Sequence, residues 1–203
     1  MGLGRGIVAH TSTFERDCET DGGAGIHPRC PQSNPTTVLS PAPTSARDRC
    51  VILVICGPPG AGKTTIATAL AERLEARGEA VTLHHSDEFS SRTYEQLYER
   101  AREDPEDALT IVDGTFYKRR WQTQFHTLED VRFVHVTASL ETCLERNRSR
   151  ADPIDEQGVH VVYREFDEPD AALEIDTDDC DVETAVGRLE RALEAWGWLA
   201  DET

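Results

Sequence analysis

From Cys50 to Cys56 the chain reads Cys-Val-Ile-Leu-Val-Ile-Cys, an apolar run with no polar alternation. Such a run predicts a strand buried on both faces, the condition of a strand inside a parallel sheet. Glycine follows at once, and then a helical stretch near 63–77 closed by Gly78. The pattern continues with a strand at 80–85, a helix near 93–103, a strand at 109–113, a helix near 119–129, a strand at 131–137 and a helix near 140–149. A short strand at Leu173–Ile175 precedes a helix near 182–198, where Val182, Ala185, Val186, Leu189, Ala192, Leu193 and Trp196 recur at helical spacing. That face belongs to the core. Strand and helix alternate throughout, which predicts an α/β fold with a parallel sheet of about five strands flanked by helices. Between the last two of these units, Ala151-Asp152-Pro153-Ile154 stops the helix and opens a polar excursion to Val159, as a short lid would.

Residues 1–49 show neither period. They contain eleven Gly or Pro and runs such as Gly22-Gly23-Ala24-Gly25, so they cannot bury enough apolar surface to order themselves. We read them as a disordered N-terminal extension, with a functional tail or a start codon placed too early as the alternatives, and place one folded domain at 50–203.

Charge sharpens this division. The chain carries 38 Asp and Glu against 21 Lys and Arg, a net charge of −17, while residues 1–49 hold five arginines and five acids. The whole surplus therefore lies on the folded part. Lysine occurs only at 63 and 118. This composition resembles that of proteins from salt-loving organisms, where salt screens acidic self-repulsion; an acidic mesophilic protein from a GC-rich genome is the alternative. A surface so acidic excludes general nucleic-acid binding. No apolar run reaches membrane-spanning length and the first ten residues lack a signal-peptide core, so a cytoplasmic, membrane-free protein is expected. The six cysteines show no paired spacing and are read as reduced thiols. His84 and His85 end a strand with side chains on opposite faces, which argues against a shared metal.

The chemistry begins at Gly57-Pro58-Pro59-Gly60-Ala61-Gly62-Lys63-Thr64, which fits G-x-x-x-x-G-K-[ST] between a predicted strand and a predicted helix. In such a loop successive backbone N–H groups surround an anion at a helix N-terminus, Lys63 reaches the β- and γ-phosphates and the Thr64 hydroxyl can ligate Mg²⁺, with Thr65 completing the loop. ATP is the expected co-substrate. Two further strands end in carboxylates at the ligand edge of the sheet. Asp113 follows Leu109-Thr110-Ile111-Val112 and is placed like a Walker B residue holding Mg²⁺. Asp87 follows His84-His85-Ser86, where it can accept a proton from an attacking hydroxyl or share the metal. For each, a helix N-cap is the alternative. Arg146 and Arg150 share a helical face and are the candidate cations over the transferring phosphate, a solvated helix end being the alternative.

Taken with Asp113-Gly114-Thr115-Phe116-Tyr117-Lys118-Arg119-Arg120, Arg146-Asn147-x-x-Arg150 and Tyr163-x-x-Phe166-Asp167-Glu168-Pro169 before Ile175-Asp176-Thr177, the chain over 50–180 resembles the small P-loop kinases of adenylate-kinase-like architecture. These include adenylylsulfate kinases and archaeal seryl-tRNA(Sec) kinases. The resemblance implies a lid containing Arg146 and Arg150, an Asp176-Thr177 segment near the nucleotide base, and Arg92, Tyr117 and Arg120 as candidate acceptor-binding residues. It implies phosphoryl transfer from ATP to a small hydroxyl-bearing acceptor. Ser86-Asp87-Glu88-Phe89 departs from the D-G-D and arginine of adenylylsulfate kinases, and the acidity disfavours tRNA; the small sulfonucleotide stands narrowly ahead. An accessory or switch ATPase acting on a protein partner is the alternative of another class. The sequence leaves the oligomeric state open. Since residues 1–49 present no face to dock and no net charge, deleting them should leave the thermal midpoint and the turnover of the chain nearly unchanged.

Overall fold

The computed structural model describes residues 50–199 except Glu106; the N-terminal extension lies outside the described residues. Five strands, β1 (Val51–Cys56), β2 (Val81–His85), β3 (Leu109–Asp113), β4 (Val131–Thr137) and β5 (Ala171–Asp176), form one parallel sheet in the order β2-β3-β1-β4-β5. The helices are α1 (Lys63–Ala76), α2 (Thr93–Glu103), α3 (Arg119–Phe125), α4 (Leu140–Arg148), α5 (Glu156–Arg164) and α6 (Val182–Ala195). None among the described residues is long and apolar enough to cross a membrane.

The lack of alternation in β1 has a direct cause, since every one of its residues is buried. Leu53 and Ile55 enter a core with Ile66, Leu70 and Leu74 of α1 and Val186, Leu189 and Leu193 of α6. Ile52, Val54 and Cys56 enter a second core on the opposite face with Leu97 of α2, Phe116, and Phe125 of α3. Both faces need apolar side chains, so the polar half of the strand pattern disappears. Ion pairs of Arg73 with Glu183 and Glu190, and of Arg77 with Glu190 and Glu194, run along the α1–α6 seam. Partly exposed pairs of this kind are screened by solvent and contribute little.

Three segments differ from the sequence expectation. The polar excursion is shorter than expected because α5 begins at Glu156, capped by Asp155, whose carboxylate accepts from the Gly158 N–H at 3.3 Å. Gly158 and the β-branched Val161 and Val162 weaken the helical signal there, and burial of Val159 outweighs it. The helix expected to 129 ends at Phe125, where the chain turns through His126 once Phe125 is buried. The last helix stops at Ala195 before Gly197, whose φ of +73° ends it. Trp196 and Trp198 then lie against the Arg132 guanidinium, 4.9 and 5.5 Å from the ring centres.

Beneath the site, Phe133 is fully buried and meets Phe116 edge-on, with ring centres 6.0 Å apart. Phe133→Ala is expected to lower unfolding free energy by about 3–5 kcal/mol, which denaturant titration would measure.

Candidate active site

β1 sits at the switch point of the sheet, with β3 on one side and β4 on the other, and its carboxyl end delivers the chain into the glycine-rich loop. A Cβ at Gly57 would lie 2.0 Å from the Val136 carbonyl oxygen, and one at Gly60 would lie 2.3 Å from that of Cys143. Neither position has room for a side chain, so glycine there lets the loop lie flat against β4 and α4. Helix α1 starts at Lys63 with no acidic residue in its first turn, leaving its positive end free to meet an anion. The Lys63 ammonium donates to the Pro58 carbonyl at 3.0 Å and is 8% exposed. Burial holds its pKa below the usual lysine range, with Asp113 opposing that shift. Burial also pushes the thiol of Cys56, just before the loop, up to about 12.

Parallel register brings three strand ends into line: Asp113 lies opposite Ile55 of β1 and opposite His85 of β2. The Thr64 hydroxyl donates to Asp113 Oδ2 at 2.6 Å, and His85 Nδ1 lies 3.1 Å from the same oxygen. Asp113 Oδ1 is buried with no hydrogen-bond partner. An orphaned carboxylate oxygen is costly, and this one belongs to a residue lining the cavity above the loop. Thr64 and Asp113 therefore fit Mg²⁺, which takes one or two protein oxygens and completes its shell with water and phosphate. Among the described residues no three His, Cys, Asp or Glu form a metal cluster. The two adjacent histidines do part, as their strand position implies: His84 Nε2 pairs with Asp104 at 2.8 Å and His85 turns to Asp113.

The cavity over the loop measures about 270 Å³ and is lined by Lys63, Thr64, Asp87, Asp113, Arg146 and Arg150 with the loop backbone. It meets a second cavity of about 720 Å³ at Ser86, Asp87, Thr115, Arg150 and Ile154. At that boundary Arg150 Nη2 lies 3.7 Å from Asp87 Oδ2, and the Asp87 side chain is 78% exposed. Asp87 belongs to a 3-10 turn, Ser86–Glu88, while α2 begins after Arg92 and α3 after Lys118. Neither Asp87 nor Asp113 caps a helix.

Arg146 takes a different position from Arg150. Its guanidinium donates to the Thr177 hydroxyl at 2.7 Å, the Thr177 carbonyl at 3.1 Å and the Gly60 carbonyl at 3.4 Å. It thus joins the loop to the end of β5, beside a mostly apolar cavity of about 270 Å³ lined by Gly62, Ile66, Thr177 and Cys180. The candidate acceptor residues are not brought to the two joined cavities. Arg92 is exposed over a separate depression with Glu95 and Glu99, Arg120 lies 4.4 Å from the Trp121 ring centre, and Tyr117 stands beside Lys118. Sequence reasoning missed His85 and Asn147. The buried Asn147 amide donates to the Ile154 carbonyl at 2.7 Å and accepts from its N–H at 3.1 Å. A lone Asn inside an Arg-rich helix end gives no signal of that clamp.

This sheet, with its glycine-rich loop between β1 and α1, is the α/β fold of a P-loop NTPase. Residues 52–175 match the family described as AAA domain, and the chain belongs to that family. Sequence comparison with curated proteins gives no match. Solved structures with the same fold include a gluconokinase from Sinorhizobium meliloti 1021, 15% identical with a TM-score of 0.59, the match covering 74% of this chain and 95% of that one. The Mycobacterium tuberculosis APS kinase CysC, in complex with AMPPNP and APS, is 16% identical over 72% of this chain and 98% of its own, with a TM-score of 0.59. Chaetomium thermophilum Kti12, in complex with ADP-AlF3, is 18% identical over 70% and 98%, with a TM-score of 0.58. At these identities the likeness is one of fold.

The hydrogen bond to Asp113, against partial burial, raises the His85 pKa above its ordinary 6.5. A raised folded-state value means the stabilisation is complete below the unfolded value and is lost as pH rises through the folded one. Without added metal, the stability difference between the wild type and His85→Gln should therefore be largest below pH 6.5 and shrink above the raised value. Denaturant titrations across that range, in EDTA, would show it; a pH-independent difference would remove the His85–Asp113 pairing.

Proposed function

We propose that this protein transfers the γ-phosphoryl group of ATP to the hydroxyl of an acceptor held in the second cavity. The observation that carries this reading is the junction of the two cavities, where a carboxylate and a guanidinium stand at the boundary between a phosphate loop and a separate open space. In this reading the β- and γ-phosphates lie on the loop N–H groups and Lys63. Thr64 and Asp113 would hold Mg²⁺, which when bound would supply neutralising charge for the transfer. The acceptor hydroxyl gives its proton to Asp87, its oxygen bonds to Pγ, and the bond from Pγ to the bridging oxygen of ADP breaks. Arg150 meets the charge spread over the equatorial oxygens, while Arg146 braces the loop against Thr177. The chemistry is positioning and electrostatics, since phosphoryl transfer asks little else of a protein.

The adenylylsulfate-kinase-like form of this reading rests on motif order and on the fold shared with the CysC structure. The seryl-tRNA-kinase-like form rests on the block from Asp113 to Arg120. The accessory ATPase reading uses the same phosphate loop and differs in one measurable way: its ADP release needs no acceptor. The chain is therefore incubated with Mg-ATP in concentrated KCl, which suits its acidity, with and without adenylylsulfate, seryl-tRNA or a cell extract. Equal ADP release in all reactions sinks the phosphotransfer reading.

Asp87→Asn keeps the size and polarity of the side chain but removes the proton-accepting charge, so the acceptor-dependent rate should fall at least about a hundredfold with ATP affinity little changed. Arg150→Ala should lower the rate more than it weakens ATP binding, because the guanidinium meets more negative charge in the transition state than in the ground state. Steady-state rates with nucleotide titrations check both, and wild-type kinetics in both would discard the assignment.

A further inference from the structure

The second cavity allows the acceptor to be described by charge. Its charged lining consists of Asp87, Asp152 and Arg150, and Arg150 already faces Asp87 at 3.7 Å. Asp152 makes no hydrogen bond or ion pair among the described residues. The remaining polar lining is hydroxylic, from Ser86, Thr93 and Thr115, and Phe89 and Tyr94 supply aromatic walls. The formal balance is one negative charge.

Recognition of a phosphate, sulfate or carboxylate calls for the opposite, commonly a bidentate guanidinium or several cations converging on one point. Several other cations of the domain face partners of their own and do not line this cavity. Arg100 pairs with Glu88 at 3.0 Å, Lys118 with Glu165 at 3.0 Å and Arg148 with Glu156 at 2.6 Å, while Arg120 lies over Trp121. The one guanidinium in the cavity stands where the transferring phosphate passes. A net charge of −17 adds a long-range field that repels polyanions and draws in cations.

We propose that the acceptor is a hydroxyl compound bearing no anionic group: an uncharged polyol or a cationic amino alcohol or amino sugar, rather than a nucleotide, a sugar acid or a nucleic acid. Its hydroxyls would exchange hydrogen bonds with Ser86, Thr93 and Thr115, and an ammonium group, where present, would face Asp152. This inference rests on the phosphotransfer reading above.

The test uses the full chain, Mg²⁺ and ATP labelled at the γ-phosphate. A heat-treated, desalted extract of the source cells is separated by ion exchange into cation-retained, unretained and anion-retained fractions, the last including RNA. Adenylylsulfate and seryl-tRNA serve as defined anionic probes, and Lys63→Ala chain is the control for contaminating kinases. Transfer of label into the unretained or cation-retained fraction, at least about tenfold over the control, is the expected result. Transfer confined to the anion-retained fraction, or to either anionic probe, overturns the proposal and leaves the kinase reading standing. No transfer into any fraction or probe overturns the kinase reading, and this proposal falls with it.

Discussion

One carboxylate oxygen ties the site together. Asp113 Oδ2 accepts from Thr64 on the first turn of α1 and faces His85 at the end of β2, so a single atom links the phosphate loop to two strands on the same side of β1. This depends on parallel register, because Asp113, Ile55 and His85 are matched across three adjacent strands. A slip of one residue would turn each of these side chains to the opposite face of the sheet. The other oxygen of Asp113 is left buried and unpartnered, an arrangement that is costly for a structural residue and suited to one that meets a cation. The same cluster holds the buried Lys63, and the nearby carboxylate offsets part of the desolvation that its ammonium suffers.

On the other side of β1 the loop is held by backbone rather than charge. Gly57 and Gly60 approach the Val136 and Cys143 carbonyls too closely for any side chain, and Arg146 bridges Gly60 to Thr177 at the end of β5. The two arginines four residues apart thus take different positions. Arg146 is drawn into the fold by three acceptors, while Arg150 reaches out to the cavity boundary. Between them Asn147 clamps Ile154 and folds the loop after α4 back on that helix. Its amide can donate and accept at once, a geometry that neither a carboxylate nor an aliphatic side chain provides.

Acidity also acts at two ranges. At long range it sets what approaches the molecule, and locally it decides which cations remain available. Arg100 and Arg148 face glutamates and Arg120 an aromatic ring, and the second cavity of this arginine-rich chain is lined by a single guanidinium. Counting arginines in the sequence overstates the positive surface for this reason.

The elements legible in the sequence were those whose cause is local. The apolar run at β1, the alternation of strands and helices, the glycine-rich loop before α1, the carboxylate ending β3 and the one in the turn after β2 all follow from periodicity, backbone freedom or position along the chain. These suffice for the fold class and the phosphate site. Helix α5 was hidden because its stability comes from burying Val159 rather than from propensity. The separate fates of Arg146 and Arg150, the His85–Asp113 pair and the Asn147 clamp needed residues from distant parts of the chain to meet. So did the exclusion of Arg92, Tyr117 and Arg120 from the joined cavities: local sequence states what a side chain can do, whereas strand order and register decide which partners lie within a few ångströms of it.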